Sequence, residues 1–399
     1  MIDISQKSWH KYFLFSSLYF AEGVEWSLAS VIIPVYLLEK GFSMPIATLV
    51  AGVTAAPWYL KFVFGPTVDY FYKFGKKTFI IMGGLLGAIN LFVLVFIDPF
   101  VSLLPFTFFL FLSHLGIIYL DVSCDGWAIQ ISKEKERGKI NGAMTAGIFT
   151  GMTIGTPLLA LIAQAYGYGM SFLAGGCMIL IIMIYPLLVK EAKKLKKRPK
   201  IASLLKEEFK KRTTQLIALF CIVNGISSGL LFYVIPLYMK TILQMDIGQI
   251  GLVSTIYPIT MVISSLIFGI LADRWDRKMV LFIVFSASII SAAFIYANTW
   301  QILALIYGVI GFLGGGIFAA GSALVMDACN PKIGTTQYSI LISITNFGEQ
   351  GMASITGSLV ALLGFGRVFL YSAWVCGPVL LILYFIRPKK NELYGAENG

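Results

Sequence analysis

Apolar residues in this chain do not recur with a helical or strand period against a polar background; they run on. Twelve such runs lie near 12–38, 45–68, 78–97, 100–125, 140–163, 171–189, 214–239, 247–272, 279–297, 300–326, 336–362 and 368–386. A run of ~20 apolar residues crosses the ~30 Å of a bilayer's hydrocarbon, so the pattern predicts an all-α membrane protein of twelve transmembrane helices. Ten of the eleven joints between runs are short. The remaining one, 190–213, is basic and divides the chain into 1–189, an N-terminal six-helix bundle, and 214–399, a C-terminal six-helix bundle with a short tail. No stretch outside the runs is long enough to bury a soluble core.

Composition agrees with this pattern. Of 399 residues, 58% are hydrophobic and 13% charged, against roughly 45–50% and about 25% in soluble domains. The net charge of +11 is not a nucleic-acid signature, because the basic residues sit in joints and are not interleaved with aromatics. With the N-terminus placed in the cytoplasm, 27 of the 31 Lys and Arg fall in cytoplasmic segments. Lys40, Lys240 and Arg367 fall outside, and Lys61 lies within a span. The positive-inside rule therefore predicts cytoplasmic termini in a multi-pass protein of the cell membrane. The start of the chain shows no cleavable signal. Cys124, Cys177, Cys221, Cys329 and Cys376 are scattered, without metal or disulfide spacing. No cofactor is expected.

The two halves echo each other. Ile33-Pro34-Val35-Tyr36 at the end of span 1 returns as Ile235-Pro236-Leu237-Tyr238 at the end of span 7, an offset of 202. Gly65-x-x-x-Asp69 after span 2 returns as Gly269-x-x-x-Asp273 after span 8, an offset of 204. Asp125 and Asp327, closing spans 4 and 10, are again 202 apart. Duplicated six-helix halves are a transporter architecture, with substrate held near the midplane between them.

The loops after spans 2 and 8 resemble the Gly-x-x-x-Asp-Arg-x-Gly-Arg-Arg signature of the major facilitator superfamily. The second copy, Gly269-Ile-Leu-Ala-Asp273-Arg274-Trp275-Asp276-Arg277-Lys278, has Asp276 in the usual glycine place. The first lacks the arginine and runs on to Gly75-Lys76-Lys77. The resemblance implies that Gly65, Asp69, Gly269, Asp273 and Arg274 belong to a cytoplasmic gate. Pro57-Trp58-Tyr59-Leu60-Lys61 through Asp69, Asp121-Val-Ser-Cys-Asp125-Gly-Trp127 and Gly334-Thr-Thr-Gln337-Tyr338 are similar to motifs of the peptide–acetyl-coenzyme A–drug transporter family, which includes muropeptide permeases. That resemblance implies alternating access and proton-driven symport. The superfamily's fourth-helix arginine motif is absent, so a relay built on that arginine is not implied.

Ionisable groups inside a bilayer are costly and mark function by default. Span 1 holds Glu22 and Glu25, spaced to share one face and expected to face a central cavity as substrate or proton sites. A structural hydrogen bond to a neighbouring helix is the alternative. Lys61 is expected to pair with Asp121 or Asp125, and direct contact with substrate remains open. His114 in span 4 and Asn346, Glu349 and Gln350 in span 11 complete the polar candidates. Trp26, Trp58, Tyr59, Tyr233 and Tyr257 offer rings for stacking or for packing. Glycines every fourth residue (Gly147, Gly151 and Gly155; Gly311 and Gly315) permit close helix contact.

With Lys61 neutralised, the candidates include several acids and no second base. Coenzyme A carries phosphates that call for Arg or Lys clamps, so acetyl-coenzyme A fits poorly. A neutral or zwitterionic muropeptide-like or peptide-like solute fits better, with an amphipathic cation or drug as an alternative. A polytopic enzyme is disfavoured: the chain has two histidines, no HExxH and no Ser/His/Asp grouping. A transport-dead sensor on the same fold is a further alternative. The expected partners are a small-molecule substrate, protons and membrane lipid, not nucleic acid, with the chain acting as a monomer.

Overall fold

The computed structural model describes residues 8–131, 134–191, 201–330 and 333–386. Every element formed by the described residues is helical. Segments that continue one another make twelve rods. α1 (8–39) contains a π-helical stretch at Leu28–Ile32. α2 (44–70) comes in three pieces. α3 (Lys76–Leu94), α4 (Leu103–Ile131), α5 (Glu134–Tyr166) and α6 (Tyr168–Leu188) complete the first half. The second half holds α7 (Arg212–Thr241), α8 (247–274), α9 (277–296, its last part a 3-10 helix), α10 (Trp300–Ala328), α11 (334–363) and α12 (365–385). Gly364, with φ 78° and ψ 158°, separates the last two. Within the expected joint 190–213, a short helix spans Ile201–Glu208; residues 192–200 lie outside the described residues.

The rods overrun the apolar runs. α4 continues six residues past its expected end at 125, and α5 begins six before its expected start at 140. Apolar character stops where the bilayer stops. A helix satisfies its own backbone and continues into water.

The break in α2 has a local cause. Pro57 cannot donate a backbone hydrogen bond and its ring crowds the preceding turn. The chain leaves helical geometry at Ala55 (φ −80°, ψ 3°) and again at Leu60 (φ −89°, ψ 8°). Trp58 sits between these two interruptions.

Glycine sets the tightest crossings, and it does so in both halves. A Cβ at Gly23 on α1 would lie 2.9 Å from the Cα of Gly151 on α5. One at Gly225 on α7 would lie 2.9 Å from the carbonyl carbon of Thr345 on α11. Neither position has room for a methyl group. The entry to α3 and α9 is pinned similarly in each half. Lys77 Nζ donates to the carbonyl of Val189 at 2.7 Å, and Lys278 Nζ to that of Ile386 at 2.6 Å.

The halves meet on the face opposite the termini. Lys240 at the end of α7 pairs with Glu39 at the end of α1. Tyr168 Oη donates to the other oxygen of Glu39 at 2.8 Å. The backbone N–H of Gly357 on α11 donates to Thr48 Oγ1 on α2 at 3.1 Å. Nearer mid-depth, Trp26 and Phe232 stand 5.8 Å apart and Tyr59 and Phe347 5.5 Å apart.

Candidate functional site

Below those contacts, on the side of the termini, lies a cavity of about 370 Å³ between the halves. A volume of that size falls in the range of small-molecule sites, roughly 300–1,000 Å³. Its walls come from α1, α2, α4 and α5 on one side and α7, α8, α10 and α11 on the other, with small residues of α9 and α12 behind the latter.

Most of the charged part of the wall belongs to the first half, Glu349 being the exception. Lys61 Nζ lies 2.5 Å from Asp121 Oδ2 and 3.3 Å from Asp125 Oδ2. Lys61 therefore meets both expected partners, since the two acids stand one turn apart on α4. Tyr19 Oη donates to Asp125 Oδ1 at 2.6 Å. Glu22 lies on the same wall and keeps one carboxylate oxygen without a hydrogen-bond partner among the described residues. At 1.5 Å per residue, Asp125 is ~9 Å and Glu22 ~21 Å from the ends of their helices on the termini side. Asp121 is buried, whereas Asp125, one turn nearer the termini, keeps 34% of its side-chain surface exposed. The cavity thus opens toward the termini.

Glu25 does not face this cavity. It is fully buried, accepts from Ser113 Oγ at 3.1 Å and lies 3.3 Å from His114 Nδ1. Successive helical residues turn by about 100°, so three residues place Glu25 about 60° round the axis from Glu22. Four residues bring Trp26 back to within about 40°, and Trp26 does line the cavity. The expectation of one shared carboxylate face is corrected accordingly: the wall ends between Glu22 and Glu25. His114 goes with Glu25, away from the cavity, and Gln350 accepts from Tyr233 Oη at 2.7 Å beside them.

Glu349 and Asn346 do line the cavity, and Asn346 Nδ2 reaches the carbonyl of Trp58 at 3.4 Å. The ring centroids of Trp26 and Trp58 stand 5.3 Å apart. Tyr257 lines the cavity and stacks on Tyr307 at 5.1 Å. Of the expected gate, Gly65 and Gly269 lie on α2 and α8 and Arg274 is exposed at the end of α8. The side chains of Asp69 and Asp273 lie outside the described residues. Arg277 at the start of α9 donates to the carbonyl of Ala323 at 2.9 Å and pairs with Asp327.

Four contributors escaped sequence reasoning: Tyr19, Ser113, Asn224 and Ser228. Hydroxyls and an amide do not interrupt an apolar run, and only the 202-residue offset marks two of them. Asn224 and Ser228 are the counterparts of Glu22 and Trp26.

Two halves of six helices enclosing a central, largely apolar cavity with a few charged groups define a membrane transporter. The chain belongs to the Major Facilitator Superfamily, which it matches over residues 15–238 and 217–398. It is 22% identical over 389 residues to the anhydromuropeptide permease of Escherichia coli K12, covering 92% of this chain and 78% of that one. It is 24% identical over 382 residues to a Rickettsia conorii protein bearing the name AmpG 4, covering 90% and 92%. Among solved structures, a D-xylose–proton symporter superposes with a TM-score of 0.75 at 13% identity over 95% of this chain and 97% of that one. The chain is thus an integral, multi-pass membrane transporter and not an enzyme.

Proposed function

We propose that this transporter imports a muropeptide-like sugar–peptide by proton-coupled alternating access, working as a monomer in the cell membrane with both termini cytoplasmic. On that orientation the cavity is open to the cytoplasm and the far-face contacts are the closed outer gate. The observation that carries the substrate reading is the composition of one cavity wall against the other. Trp26 and Trp58 give aromatic faces for a sugar ring. Glu22, with a free carboxylate oxygen, suits a peptide ammonium, and the Lys61–Asp121–Asp125 network suits polar or zwitterionic groups. Asn224, Asn346 and Ser228 can pair with amides and hydroxyls. The name of the Escherichia coli relative points the same way. The test is uptake of anhydromuropeptide into proteoliposomes with and without an inward proton gradient. Accumulation only with the gradient supports the reading, and equal uptake in both arms removes the coupling.

A second reading rests on the excess of acids in the cavity. Glu22, Asp121, Asp125 and Glu349 face it with Lys61 as the basic lining residue among those described. That balance suits an amphipathic cation. If a lipophilic cation is transported and anhydromuropeptide neither is transported nor competes, the second reading replaces the first.

A further inference from the structure

Behind Trp26 and Trp58 lies a second, separate pocket. It is lined by Glu25, His114, Tyr233 and Gln350 together with the two tryptophans, and it is too narrow to seat a water molecule. Glu25 and His114 are both fully buried, and each keeps a polar atom with no hydrogen-bond partner among the described residues: Glu25 Oε2 and His114 Nε2.

We propose that Glu25 and His114 form a proton-holding site walled off from the substrate cavity by Trp26 and Trp58. This deepens, and rests on, the proton-coupled reading above.

The groups facing Glu25 come from four helices. α4 brings His114 and Ser113, α7 brings Tyr233, α11 brings Gln350, and α2 brings the indole of Trp58. None of these is a fixed cation. Lys61 is held by Asp121 and Asp125, and Glu22 and Glu349 face the other chamber. A bare carboxylate in such a pocket is costly. A proton, on Glu25 or shared with His114 Nδ1, is the counter-charge within reach.

Access follows from ownership of the walls. Glu25 and His114 belong to the first half, Tyr233 and Gln350 to the second. Parting the halves at the far face withdraws Tyr233 and Gln350 and opens the pocket to that side. Trp26, 5.3 Å from Trp58 and 5.8 Å from Phe232, shields it from the substrate side. A proton taken from far-side water onto Glu25 or His114 therefore leaves through movement of the Trp26 ring, past Glu22 one turn away, into cavity water. The pair then returns to its starting state.

The experiment compares wild type, Glu25→Gln, Glu25→Asp and His114→Gln in proteoliposomes, using anhydromuropeptide. Two assays are read: gradient-driven accumulation, and counterflow of labelled against unlabelled solute. Glu25→Gln should lose accumulation by at least about tenfold while counterflow falls no more than about threefold, the signature of lost coupling. His114→Gln should shift the pH profile of accumulation. If wild type shows counterflow without gradient-driven accumulation, the proton-coupled reading fails and this site with it. If it shows neither, the muropeptide reading fails and the same proteins are assayed with the lipophilic cation, on which the same outcomes decide. If wild type and Glu25→Gln accumulate alike, this site alone is overturned. Should Glu25→Gln lose counterflow as well, Glu25→Asp, which keeps a carboxyl, must recover accumulation. Failure of that recovery, or an unmoved pH profile in His114→Gln, overturns the assignment.

Discussion

The two halves of this transporter share a scaffold and differ in chemistry. Advance Glu22, Glu25 and Trp26 by the 202-residue offset and the chain reads Asn224, Ser227 and Ser228. Advance His114, Asp121 and Asp125 and it reads Gly316, Ala323 and Asp327. Gly23 survives the shift as Gly225, and the lysines pinning the starts of α3 and α9, Lys77 and Lys278, recur at an offset of 201. The ionisable residues of α1 and α4 do not, apart from the pair Asp125 and Asp327. Packing constraints act on both halves equally, so they keep the same residues. The cavity's charges need no such symmetry: apart from Glu349, they stand on the first half's wall among the described residues. Even the retained pair serves different ends: Asp125 meets Lys61, whose side chain is 15% exposed, while Asp327 meets Arg277, with side chains 59% and 28% exposed.

That contrast is best broken at these two ion pairs. Lys61→Met should destabilise the detergent-solubilised protein by ~3–5 kcal/mol, because Asp121 is left buried and unpaired. Adding Asp121→Asn should restore much of that. Arg277→Met, at an exposed pair, should cost about 0–1 kcal/mol. Thermal unfolding of these three variants beside wild type measures the difference. Equal losses for Lys61→Met and Arg277→Met would mean the halves are energetically alike after all.

A smaller effect is expected where the halves touch. Glu39 and Lys240 are partly exposed, with 32% and 24% of their side-chain surfaces free. Lys240→Met should loosen the far face by about 1 kcal/mol or less. A Thr48→Cys probe should then react faster with a membrane-impermeant thiol reagent, and an unchanged rate would show that the pair does not hold that face shut.

The smallest effect concerns the loops. Asp98, between α3 and α4, accepts from Lys40 Nζ at 2.6 Å and from the Phe100 N–H at 2.9 Å. The hydrogen bond from Lys40, followed by that from Phe100, holds its carboxyl below the usual carboxylate value. The contribution is therefore present above the ordinary carboxylate range and is lost as pH falls through the lowered value. The matching joint in the second half is capped by neutral Thr299. Asp98→Asn should flatten a shallow acid-side slope in melting temperature; an unaltered slope would place that sensitivity elsewhere.

Much of the fold could be read in the sequence because bilayer spans write themselves as long apolar runs. Their ends were misjudged where helices such as α4 and α5 continue into water. The Lys61 network was legible because a base within a span demands an acid within reach. The separation of Glu22 from Glu25 was not, since it depends on where the neighbouring wall stops, and no spacing along α1 encodes that. The role of Tyr19 was hidden for a related reason: a tyrosine in an apolar run reads as packing until its hydroxyl is seen to meet Asp125.

The interruptions in α2 carry a last consequence. Around Trp58 two backbone bonds are three-residue closures, Trp58 N–H to Ala55 O at 3.0 Å and Val63 N–H to Leu60 O at 2.8 Å, and this stretch borders the cavity. Amides buried in hydrocarbon ordinarily exchange with solvent deuterium only when structure opens globally or in large units. Here a mid-depth segment has short-turn bonds beside a solvent-reaching chamber, so deuterium should enter at 55–63 ahead of equally deep stretches of α1 and α4. The isotope uptake of that one segment would then record how much of the time the chamber stands open to water, in a membrane and without any substrate present.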